Sequence, residues 1–182
     1  MKQYLKDYGL LFGVAAVIVA IDQWTKYLVM TNIPFEGVWA PWDWLLPYAR
    51  IVHWSNTGAA FGMLQGYALV FTVLAFVVSG LIIYYFPKIS PSDWPLRLAL
   101  CLQLGGALGN LADRLTHGGQ VIDFISVGSF AVFNFADACI TVGVIVLLAG
   151  FWFKDLQQKK KAAPAGPDAN PVDPGAEGDR GG

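Results

Sequence analysis

Four runs of apolar residues, each close to the length of a membrane span, dominate the chain: 8–30, 67–86, 96–112 and 132–153. Crossing the hydrocarbon of a bilayer takes about 20 consecutive, mostly apolar residues. No water is available there to satisfy backbone N–H and C=O groups, so such segments form helices. The third run is the shortest and turns polar toward its end. Composition agrees: 55% of the residues are hydrophobic and 14% charged, against about 25% charged in a soluble domain. The pattern predicts an all-α membrane protein of four transmembrane helices. The first run is too long for the apolar part of a cleaved leader, and no small-residue cleavage site follows it, so it reads as a retained span.

Basic residues orient the spans, because Lys and Arg concentrate in cytoplasmic flanks. With four spans, Lys2, Lys6, Lys88, Arg97, Lys154, Lys159, Lys160 and Lys161 fall on one side, and Lys26, Arg50 and Arg114 on the other. Eight against three places both termini in the cytoplasm. Residues 1–156 then form the membrane-embedded domain. Residues 157–182 form a cytoplasmic tail whose Pro/Gly-rich, acidic, aromatic-free composition predicts disorder. No basic patch suggests nucleic acid.

The first loop, 31–66, carries Trp39, Trp42, Trp44, Tyr48 and Trp54, aromatics that favour the headgroup layer. It reads as extended from Ala49 and as turning at Gly58. The third loop holds two strand-like runs, VIDFI (Val121–Ile125) and FAVFNF (Phe130–Phe135), around a Ser-Val-Gly-Ser turn. Cys101 and Cys139 lie inside apolar runs without metal-ligand spacing and read as small buried side chains. His53 and His117 are single loop histidines, so no metal or other cofactor is expected.

An ionisable residue at the centre of a membrane helix costs roughly 2.5–3.5 kcal/mol on insertion scales. Asp22, Asn110, Asp113, Arg114, Asp123, Asn134 and Asp137 nonetheless occur here, and the topology brings all of them to the face away from the cytoplasm. Each has a structural alternative. Asp22 and Lys26 are four apart and pair on one helix face, with the lysine stem snorkelling outward. Asn110, Asp113 and Arg114 close a helix end, Gly105 and Gly109 make a small-residue packing pair, and Asn134 caps the fourth helix. Asp123 and Asp137 fit a structural role least well. Two carboxylates brought together share a proton, one acting as base toward a water and the other polarising a carbonyl. From these residues alone, a carboxylate-dyad hydrolase and a proton-coupled transporter both stay open.

Five blocks carry a resemblance: DQWTK (Asp22–Lys26), NTGAAFG (Asn56–Gly62), GGALGNLADRL (Gly105–Leu115), VIDFI, and FNFADACITVG (Phe133–Gly143). In order and spacing the chain resembles the bacterial lipoprotein signal peptidases, signal peptidase II. The resemblance implies an aspartic endopeptidase of the cytoplasmic membrane, without cofactor, with its site near the extracytoplasmic face. It implies cleavage of diacylglyceryl-modified prolipoproteins before the lipidated cysteine by a monomer in contact with membrane lipids. It further implies a catalytic pair Asp123 and Asp137, with Asn56, Asn110, Arg114 and Asn134 holding substrate or bracing the pair. Asp22, Lys26 and Asp113 are then supports, and a small extracytoplasmic β-cradle joins the four helices. The departures are small: Ala112 stands where a larger aliphatic would be unsurprising, and the acidic tail lies outside the matched blocks. A serine/lysine peptidase fits less well, because Ser126 and Ser129 have no free lysine nearby. The only Gly-Asp pair, Gly178-Asp179, is in the tail, which disfavours a presenilin-like protease.

Overall fold

A computed structural model describes residues 2–57 and 67–162. Four helices account for most of them: α1 (Lys2–Asn32), α2 (Ala68–Tyr85), α3 (Trp94–Thr116) and α4 (Phe135–Ala162). The stretch from Lys2 to Asn32, that from Ala68 to Lys88 and that from Phe135 to Leu156 are long and apolar enough to cross a membrane. α3 is more polar, and its polar groups face protein: Arg97, Asn110 and Asp113 are all buried. Residues up to Gly150 form one unit, and those from Phe151 form a second, of which the last turns of α4 are described.

On α1 the buried positions are Asp7, Leu11, Ala15, Ile18, Asp22, Lys26 and Val29, a stripe recurring every three or four residues, as one face of a helix requires. The rest of the helix exposes apolar side chains such as Val17, Trp24 and Tyr27, a surface suited to lipid. The stripe packs on α3, which also contacts α2. Glycines permit the approach. A Cβ on Gly105 would come within 2.7 Å of Ile18, and one on Gly106 within 2.5 Å of the Ala136 carbonyl oxygen, so both faces of α3 use missing side chains to bring backbones together. Leu11, Ala15, Ile82, Phe86, Cys101 and Leu104 form the apolar core. Cys101 and Cys139 are both buried free thiols.

At one end of α1, Arg97 Nη2 lies 2.6 Å from Asp7 Oδ1 and its guanidinium lies 4.5 Å from the centroid of the Phe86 ring. Arg97, a flanking loop charge on sequence grounds, is therefore a buried partner in the first turn of α3.

The helices carry a three-stranded antiparallel sheet in the order β1 (Val38–Trp39), β2 (Ala49–Asn56), β3 (Val121–Val127). The register pairs Trp54 with Asp123 and Asn56 with Val121, and shifts between Ile51 and Trp54. Such irregularities twist a strand and re-aim its side chains. The first helix end is tight: Gly119, at φ +90°, donates its N–H to the Arg114 carbonyl at 2.9 Å and turns the chain from α3 into β3. A left-handed residue there suits glycine.

Several expectations are corrected. FAVFNF is not a strand. It makes a single bridge, Ile125 with Phe133, because Asn134 already caps α4 and the backbone must leave the sheet edge. Lys26 does not snorkel outward; it is 1% exposed and points into the protein. α3 continues through Asp113 and Arg114, beyond its apolar run, because buried partners satisfy its polar end. The tail from 163 onward, and the Gly58 turn with the rest of NTGAAFG, lie outside the described residues.

Candidate active site

Asp123 comes from the middle of β3 and Asp137 from the first turn of α4, and both line one cavity of about 690 Å³ with Asn56, Asn110 and Arg114. Three asparagines tie the carboxylates together. Asn134 donates from Nδ2 to Asp123 Oδ1 at 2.8 Å and to Asn110 Oδ1 at 3.0 Å. Asn110 donates in turn from Nδ2 to Asp137 Oδ1 at 2.7 Å. Asn56 donates to Asp123 Oδ2 at 3.4 Å, the longest of these contacts.

Asn134 is also the cap the sequence suggests. Its Oδ1 accepts the Asp137 N–H at 2.9 Å, while Asp137 Oδ2 accepts the Asn134 N–H at 3.3 Å. This reciprocal arrangement satisfies two otherwise orphaned donors at the start of α4. It also fixes the rotamers of one dyad residue and of the asparagine that touches the other.

Behind the dyad, Lys26 holds Asp22 Oδ2 at 2.7 Å and Asp113 Oδ2 at 2.8 Å. Each of these carboxylates also accepts a backbone N–H next to a dyad residue. Asp22 Oδ1 takes the N–H of Ala136 at 3.0 Å, and Asp113 Oδ2 takes that of Ile122 at 3.0 Å. One buried ammonium thus anchors the residue before Asp137 and the residue before Asp123. Lys26 also donates to Asn110 Oδ1 at 3.3 Å, which selects the amide orientation that presents Nδ2 to Asp137.

Arg114 is the predicted site residue that makes no printed hydrogen bond to either dyad carboxylate. Its Nη1 lies 3.5 Å from the Asn110 carbonyl oxygen and its guanidinium 5.6 Å from the Phe71 ring centroid. The histidines are engaged locally: His53 Nδ1 lies 2.8 Å from the Ile33 carbonyl oxygen and His117 Nδ1 2.9 Å from Thr116 Oγ1.

Gln23 was not among the sequence candidates. Its Nε2 donates to Asp113 Oδ1 at 2.7 Å and to Asp22 Oδ2 at 3.2 Å. A glutamine beside Asp22 in an apolar helix was the available signal. The N–H groups of Ile122 and Ala136 carry none, because any residue supplies them.

Electrostatically the two aspartates differ. Burial, and next the Asp137 carboxylate, push the Asp123 carboxyl up to about 7, against the opposing pull of Asn134, Asn56 and Lys26. Near neutral pH Asp123 is thus poised to hold a proton, and a pair that shares one proton is equipped for general acid–base chemistry.

Residues 14–153 match the Signal peptidase (SPase) II family. The chain is 43% identical to the lipoprotein signal peptidase of Geobacillus thermodenitrificans over 144 residues, which cover 76% of this chain and 87% of that one. It is 38% identical to that of Shouchella clausii, covering 81% and 95%. Among solved structures, a bacterial membrane enzyme at 30% identity superposes with a TM-score of 0.75, over 86% of this chain and 95% of the other.

Proposed function

The chain belongs to the signal peptidase II family, and on that premise we propose that Asp123 and Asp137 are the catalytic pair with which it removes signal peptides from prolipoproteins. The enzyme is an aspartic endopeptidase. The observation that carries the assignment of residues is the asparagine-linked pair on one cavity wall, with Asp123 raised to about 7.

In the proposed cycle Asp137 is the base and Asp123 the acid. Asp137 takes a proton from a water whose oxygen attacks the scissile carbonyl carbon, while the Asp123 proton passes to the carbonyl oxygen. Collapse of the tetrahedral diol returns a proton to Asp123. The proton on Asp137 moves to the leaving nitrogen as the C–N bond breaks. Asn110 and Asn134 hold the carboxylates in place, and Arg114, lining the cavity, faces the bound chain.

The same reading makes α3 the fourth crossing, its polar side satisfied by Lys26 and Gln23. The eight-to-three asymmetry of basic residues supports cytoplasmic termini in the inner membrane, with the dyad near the opposite face. The exposed Trp39, Trp42, Trp44 and Tyr48 support a sheet lying against the headgroups. A whole site within one chain supports action as a monomer.

The substrate of this reading carries diacylglycerol on the cysteine after the cut, which keeps the scissile bond at the membrane edge. The test is cleavage, by purified protein in lipid, of a diacylglyceryl-modified prolipoprotein and of its unmodified counterpart, with the products weighed by mass spectrometry. Cutting of the modified protein alone, directly before its cysteine, is expected. Equal cutting of both would remove the lipid requirement, and a cut elsewhere would overturn the assigned bond.

A further inference from the structure

Inward from the dyad, the cavity wall is apolar, formed by residues such as Leu74, Val78, Ala107 and Ile140, with two exceptions: Gln103 and Thr141. Gln103 precedes Asn110 by seven residues on α3, about 10 Å along the axis at 1.5 Å per residue. Its Nε2 is fully buried and has no hydrogen-bond partner among the described residues. Its stem is fixed between helices: a Cβ on Gly143 of α4 would come within 2.9 Å of Gln103 Cγ. A buried donor left unpaired costs about 1–3 kcal/mol, and an apolar residue of the same shape would avoid that cost.

We infer that Gln103 pairs with the main chain of the signal peptide, held extended in the cavity two helical turns inward from the scissile bond. The inference rests on the reading of Asp123 and Asp137 as the point of cleavage. A primary amide has a donor and an acceptor, the complement of a peptide group. An extended chain in an apolar cavity needs such a partner as much as Gln103 does. An acyl chain has no polar atom to offer and would leave Nε2 unpaired, so the lipid of the substrate lies elsewhere. At about 3.3 Å per extended residue, 10 Å places the paired peptide group about three residues before the bond that is cut. The Thr141 hydroxyl, one turn inward from Asp137 on α4, is the second polar group available to the same stretch.

The test uses the full chain in lipid and diacylglyceryl-modified substrates in which single backbone amides are replaced by esters, from the second to the fifth residue before the cut. Each is compared between wild type and Gln103→Met, an unbranched replacement of similar volume. The wild type is expected to lose roughly tenfold in kcat/KM for one ester near the third residue, mainly through KM. Gln103→Met loses a similar factor on the all-amide substrate and nothing further from that ester. Equal ester sensitivity in both enzymes overturns the pairing and leaves the inner cavity to the acyl chain. If Gln103→Met fails to fold, the wild-type series still decides, because a flat response along the peptide overturns the inference. A wild type that cuts no modified substrate removes the catalytic reading itself, and this inference with it.

Discussion

Replacing Lys26 by methionine removes the one cation that Asp22 and Asp113 share. Asp22 is 0% and Asp113 1% exposed, and both lie within 2.8 Å of the Lys26 ammonium. Removing one partner of a buried ionic group costs about 3–5 kcal/mol, mostly as uncompensated buried charge. Here two carboxylates lose their partner, so the loss belongs at or above that range. Both carboxylates also hold N–H groups adjacent to the dyad, so cleavage should fall with stability. The companion variant Lys26→Met/Asp22→Asn/Asp113→Asn removes the charges yet keeps a carbonyl oxygen at each acceptor position. It should recover most of the lost stability. It should recover activity only in part, because Asn110 still lacks its contact from Lys26. Unfolding in mixed micelles, followed through the tryptophan emission, measures the first quantity, and substrate cleavage the second. A single variant as stable as wild type, or a triple variant no more stable than the single one, would refute the account of Lys26 as the shared counter-ion.

With Asp123 raised from 3.8 to about 7, the folded state binds a proton that the unfolded chain releases. Stability from this group is therefore full below about pH 4 and is lost as the pH rises to about 7. Unfolding profiles of wild type and Asp123→Asn should diverge across that window, and kcat/KM of the wild type should fall above about pH 7 as the acid loses its proton. Gly109→Ala places a Cβ 2.7 Å from Asp22 Oδ2, whereas Gly80→Ala meets nothing within 4 Å. Unfolding should show a loss of about 1–3 kcal/mol for the first and little change for the second. Asn134→Ala removes the cap of α4 and the link between the carboxylates, so stability should drop by about 1 kcal/mol and cleavage by a larger factor than the cap alone explains.

The spans were legible because lipid demands long apolar runs, and the dyad because carboxylates in such surroundings need a reason. Asn134 was legible as a cap because capping is local. The destination of Lys26 was not: spacing shows that it reaches Asp22, while its contact with Asp113 depends on how α1 packs on α3. The same holds for α3, whose apolar run stops at Ala112 although the helix continues to Thr116. Its last turn is stabilised by Lys26 and Gln23 from another helix, which no local pattern encodes. FAVFNF shows the reverse case, a strand-like composition overridden by the helix cap that begins inside it. Arg97 reads as a flanking charge until Asp7 is found beside it.

The central claim is that cleavage depends on two carboxylates. The most direct measurement is the turnover of a diacylglyceryl-modified prolipoprotein by wild type, Asp123→Asn and Asp137→Asn, each in lipid and each checked for folding by its unfolding profile. Asparagine keeps the size of the side chain and removes the proton chemistry. The account predicts that each folded variant loses at least roughly 10²–10⁴-fold in rate. Turnover near the wild-type rate in either folded variant would contradict it.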